Sequence, residues 1–163
     1  MITSLKRITL VILVVVVSPV VALYFVTLPA AAQQDVVFPE STLEIETQSG
    51  TRHTFRIELA ETDPLRQRGL MFRNEMAPDA GMLFTYKRDR VISMWMANTY
   101  LPLDMLFIES DGRISRIAES TIPLSRESIS SRKRARGVLE LNAGTVRRLG
   151  LSVGDRVIHE RFE

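Results

Sequence analysis

Residues 43–59 read LEIETQSGTRHTFRIEL, and this stretch decides the fold class. Leu43, Ile45 and Thr47 alternate with Glu44, Glu46 and Gln48; after Ser49-Gly50, His53, Phe55, Ile57 and Leu59 alternate with Arg52, Thr54, Arg56 and Glu58. A period of two on both sides of a glycine turn predicts a β-hairpin with one buried face.

Working outward, Asp63-Pro64 reads as an N-cap followed by proline at the first helical position, opening a short helix over 64–71 that Gly69 keeps brief. The apolar runs 81–86 and 91–96 are expected to be two strands joined by a charged turn, Lys87-Arg88-Asp89-Arg90. Ser110-Asp111-Gly112 separates strands at 103–108 and 113–118. The polar, basic segment from Leu124 to Arg136 reads as an exposed loop. A strand at 138–141, a helix capped by Asn142 and running to Leu149, and a last strand at 156–160 complete the chain. About eight strands with two short helices and no βαβ alternation predict a mostly β domain, a sandwich or partly closed barrel.

The N-terminus has a different character. Lys6 and Arg7 precede an apolar run over 8–28, and Ala30-x-Ala32 follows. That order is expected of a signal peptide cleaved after Ala32 or, since the run is long enough to span a bilayer, of an uncleaved inner-membrane anchor. Both place the remainder outside the cytoplasm, in the periplasm or secreted, with membrane contact only through 8–28. Residues 33–40 read as a linker and 41–163 as the β domain. Removing Lys6 and Arg7 leaves 19 of the 21 basic residues against 19 acidic ones. A nucleic-acid partner, which calls for a basic excess in the folded part, is therefore not expected. Cysteine is absent, which excludes disulfides, thiol nucleophiles and thiolate metal sites.

The chemistry concentrates between Arg68 and Ile108, where six of the seven methionines and the only tryptophan surround a few isolated polar residues. Arg68, Arg73, Asn98, Thr99 and Asp104 stand where apolar neighbours should bury them, and buried polar groups need partners or a purpose. On a strand over 103–108, Asp104 shares a face with Leu106 and Ile108. Its carboxylate then needs Arg68 or Arg73 as an internal clamp, or faces a ligand. Asn98 and Thr99 either bond their own backbone in a turn or complete a polar pocket beside Trp95.

The same residues resemble the DUF192 family (UPF0127). RGLM stands at 68–71, followed by Arg73, GMLF at 81–84, Trp95-Met96, Asn98-Thr99, Pro102-Leu103-Asp104 and Phe107-Ile108. The likeness runs from Arg56 to the end of the chain. It implies a jelly-roll-like β domain and supplies no activity, the family being functionally uncharacterised.

Three functions follow as expectations. The first is non-enzymatic binding of a small polar ligand or envelope component by Arg68, Arg73, Trp95, Asn98, Thr99 and Asp104, with no cofactor and no catalytic residue. The second is a periplasmic Cu(I) site of His53, Met94, Trp95 and Met96, soft thioethers and an aromatic face suiting that ion. The third is a hydrolase pairing Asp104 with Glu75 or Asp79. His159, close to the chain end, is expected to be exposed.

Overall fold

The computed structural model describes residues 36–162, so the expectations for the leader lie outside the described residues. The predicted hairpin is present: β1 (Glu40–Glu46) pairs antiparallel with β2 (Arg52–Ala60), and Gly50 turns between them at φ 85°. Its buried odd positions, Leu43, Ile45, Phe55, Ile57 and Leu59, lie in one apolar cluster. Phe38, in the expected linker, is already buried, and the Pro39 carbonyl accepts from Leu59 N at 2.8 Å.

A short helix, α1 (Asp63–Arg68), follows, capped by the Thr62 hydroxyl rather than by Asp63. It leads to β3 (Ala80–Met94), which runs parallel to β2 from Arg56↔Ala80 to Ala60↔Phe84. One βαβ step thus exists where none was expected. The remaining strands are β4 (Leu103–Ile108), β5 (Ile114–Ala118), β6 (Ile129–Asn142) and β7 (Arg156–Ile158), with helix α2 (Thr145–Leu149) before the last. They form one sheet in the order β5-β4-β6-β3-β2-β1-β7, curled into a half-barrel. Its edges approach each other at an isolated bridge between Arg113 and Arg156.

Seven strands replace the expected eight because β3 is continuous. Lys87-Arg88-Asp89-Arg90 is not a turn: the register jumps from Thr85↔Gly137 to Arg90↔Ala135, so β3 carries a four-residue excursion opposite a single residue of β6. The excursion is pinned through Asp89, whose carboxylate meets Arg136 at 2.6 Å and whose carbonyl accepts from Arg134 at 2.7 Å. The segment expected to be a basic loop correspondingly contains the first half of β6. Charged residues occupy these strands because their exposed sides face solvent, while Ile92 and Ala135 bury the opposite side.

Both faces of the central strands are covered. Along β4, Leu106 and Ile108 join the cluster of the hairpin, and Leu103, Met105 and Phe107 join a second one with Met82, Phe84 and Met96. The predicted alternation holds, and Asp104 lies on the first face with no exposure. Neither arginine reaches it. Its Oδ1 accepts from Ser120 N at 2.9 Å and its Oδ2 from Val146 N at 3.0 Å, so it closes the turn after β5 and caps the start of α2. Asn142, expected to cap that helix, instead donates to the carbonyls of Met76 and Ala77. His159 is buried rather than exposed, 3.1 Å from Ser41 Oγ and accepting from Arg161 N.

Replacing Asp104 by alanine strands two backbone donors at once, which costs roughly 2–4 kcal/mol. Asp104→Ala is expected to lower the melting temperature by several degrees, with Asp104→Asn recovering part of the loss. An unchanged melting temperature would count against the clasp.

Candidate functional site

Below α1 lies a cleft of about 230 Å³ whose walls come from three segments. Arg68 and Met71 come from the end of the helix and the turn beyond it, Met94, Trp95 and Thr99 from the end of β3 and its following loop, and Phe84 and Glu140 form the floor. Gly69 allows the helix end to come down on that floor: at φ 46° its Cβ would stand 3.1 Å from the Phe84 ring.

Of the six predicted binding residues, three line the cleft: Arg68, Trp95 and Thr99. Trp95 is 59% exposed and forms its outer wall. The Arg68 guanidinium lies 4.8 Å from the Phe72 ring centroid. Asn98 supports the loop from outside, at φ 56°, with its carbonyl accepting from Phe72 N at 2.8 Å and its amide 3.9 Å from the Met71 sulfur. Thr99 N bonds the Met96 carbonyl at 3.0 Å, the turn geometry expected of this residue pair. Arg73 and Asp104 stand apart. Arg73 pairs with Glu58 at 2.5 Å and lines a different hollow of about 500 Å³. That hollow is larger, yet both cations lining it are already paired, Arg73 with Glu58 and Arg56 with Asp79, and Glu40 adds a further negative charge.

The four residues of the copper reading do not share one cavity either. Met94 and Trp95 line the cleft, Met96 is buried and its sulfur accepts from the Thr121 hydroxyl at 3.2 Å, and His53 lies at the start of β2 opposite Ile45.

Glu140 is the functional candidate that sequence reasoning missed. It sits on β6 between Met82 of β3 and Met105 of β4, and so points into the second apolar cluster. It is 4% exposed, and no hydrogen bond or ion pair reaches its carboxyl among the described residues. Burial raises its pKa from 4.5 to about 8. Around it, burial also pushes the Tyr86 phenol up, against the opposing pull of Arg66 and Arg90. In the segment VLELN the acid alternates with Leu139 and Leu141, which in a one-faced sheet would send it to solvent. It is buried because this sheet is covered on both faces. A carboxylic acid kept neutral near pH 7 among apolar neighbours such as Met82 and Met105 can donate a hydrogen bond or exchange a proton near neutrality.

The model of DUF192, described as "Uncharacterized ACR", matches residues 44–159. The chain belongs to the DUF192 family. A solved protein from Sinorhizobium meliloti 1021, provisionally described as a transcription regulator, is 51% identical; the match covers 76% of this chain and 96% of that one, with a TM-score of 0.75. A protein of unknown function from Novosphingobium aromaticivorans DSM 12444 is 36% identical over 74% of this chain and 85% of that one, with a TM-score of 0.71. No curated protein matches. The DUF192 motif therefore splits in space: its RGLM, Trp95-Met96 and Asn98-Thr99 elements build the cleft or its support, and its Asp104 clasps the frame.

Because the folded-state pKa of Glu140 lies above its unfolded value, the folded state holds the proton more firmly. Its contribution is full below about pH 4.5 and is lost as pH rises through about 8. Thermal melts from pH 5 to 9 are expected to fall with pH in the wild type and to fall measurably less in Glu140→Gln. Parallel curves for the two proteins would show that Glu140 does not titrate as described.

Proposed function

We propose that this DUF192 domain is a non-enzymatic binding module that takes a small ligand in the Glu140 cleft. The carrying observation is the buried, unpartnered Glu140 carboxyl at the bottom of a cleft walled by Met71, Phe84, Met94 and Trp95. A neutral acid in such surroundings donates one strong hydrogen bond, which favours a ligand with a carbonyl, ether or hydroxyl acceptor and an apolar body. The volume admits roughly eight water-sized groups, so the ligand is small. Among the described residues the other carboxylate lining the cleft is Asp63, which is ion-paired with Arg66. Binding is therefore favoured over hydrolysis, which needs a free second acid or base. The leader pattern, with Lys6, Arg7, the apolar run and Ala30-x-Ala32, supports an extracytoplasmic location for the module.

Trp95, the only tryptophan, reports on the cleft directly. Neutral hydroxy, carbonyl and ether compounds of four to six carbons are expected to change its emission saturably, with affinity falling as pH is raised past about 8. Glu140→Leu should abolish the change, and Glu140→Gln should retain binding while losing its pH dependence. Failure of every compound to saturate, or equal affinity in Glu140→Leu, would overturn the reading.

A further inference from the structure

The Glu140 cleft does not end at its own rim. Asp63, Arg66 and Tyr86 line it and also line a shallower depression of about 800 Å³, so the two hollows adjoin. The depression is walled further by Lys87 and Arg88 of the β3 excursion and by Arg90, where β3 rejoins β6. Its two acids are already engaged. Glu61 is held in a two-pronged pair by Arg161, at 2.5 and 3.0 Å, and Asp63 by Arg66. Arg66 is spent as well, since it also donates to the carbonyls of Glu61 and Thr85. Asp89, the one acid of the excursion, is taken by Arg136 from β6.

Three cations within four residues are thereby left without a carboxylate among the described residues. Lys87 and Arg88 are exposed, and Arg90 lies 5.5 Å from the Tyr86 ring centroid, with Arg66 4.9 Å from the same ring. Stacking on Tyr86 fixes one guanidinium without neutralising it. No carboxylate among the described residues meets these three charges, so an anion entering the depression would find them uncompensated. The excursion has no role in pairing β3 with β6, since it breaks their register, yet it is pinned at Asp89 from the partner strand. Its effect on the molecule is to stand basic residues beside the cleft.

We propose that the depression is an anion subsite of the Glu140 cleft, so that the ligand is a short molecule with a phosphate or carboxylate at one end, seated against Lys87, Arg88 and Arg90, and an uncharged hydrogen-bond acceptor at the other. This rests on the binding reading of the cleft and adds the charge of what it binds. Arginine and lysine favour such oxyanions through charge-assisted hydrogen bonds, and Met71, Phe84, Met94 and Trp95 within the cleft accommodate methylene groups.

Hexane-1,6-diol, 6-hydroxyhexyl phosphate and 6-hydroxyhexanoate test this with the full-length protein, read by Trp95 emission. At low salt the two anions are expected to bind at least tenfold more tightly than the diol, with the margin shrinking as salt is added. The triple variant Lys87→Gln, Arg88→Gln, Arg90→Gln should lose that margin and leave the diol affinity within twofold, and comparing phosphate with carboxylate identifies the preferred headgroup. If the diol binds and neither anion binds better, or if the margin survives the triple variant, the anion subsite is wrong and the cleft stands. If none of the three compounds shifts Trp95, both fall together.

Discussion

The antiparallel pairing of β6 with β3 on one side and β4 on the other is the constraint on which the rest of this molecule depends. β6 is fourteen residues long, and its second half lies between two strands whose side chains are buried on both faces. Every residue there must suit an interior. Leu139 and Leu141 fill one cluster, Val138 fills the other, and Gly81 lies so close to β6 that a Cβ would stand 2.7 Å from the Glu140 carbonyl. Glu140 is the exception that this arrangement forces into an apolar setting. The cleft beside it therefore follows from how the central strands are covered, while the loops around it decide only its outline.

Asp104 and Glu140 form an instructive pair of buried carboxyls. Each sits at a central strand position among aliphatic neighbours, on opposite faces of the sheet. Asp104 is given two backbone donors and becomes a fastener between the β5 turn and α2. Glu140 is given none and has its proton affinity raised instead. The difference lies in whether donors are brought to the group, since both are desolvated.

Much of the architecture was legible because it is local. The hairpins around Gly50 and Gly112 carry their alternation and their turn residues within a few positions, and both appear as expected. What failed depended on distant partners. Residues 87–90 carry the composition of a turn, and only the pairing of β3 with β6 across them makes one strand of two. Burial of Asp104 was readable from the alternation of β4, but its partners are amides brought from Ser120 and Val146, which no spacing announces. Arg68 and Thr99, singled out by isolated polarity in an apolar stretch, and the lone tryptophan Trp95 line one cleft. Glu140 escaped because a single acid in a short strand has the ordinary look of a solvent-facing position.

The bridge between Arg113 and Arg156 has a consequence for how the domain meets its own kind. β5 and β7 are the two ends of the sheet order, and each would present unpaired backbone groups to any passing strand. Where Ile114 N bonds the Asp155 carbonyl and Val157 N bonds the Gly112 carbonyl, both at 2.8 Å, the two ends occupy one another. A seam of that kind takes the β7 end and the entry to β5 out of reach of strand addition, and concentrates whatever open edge the domain offers on residues 115–118 of β5.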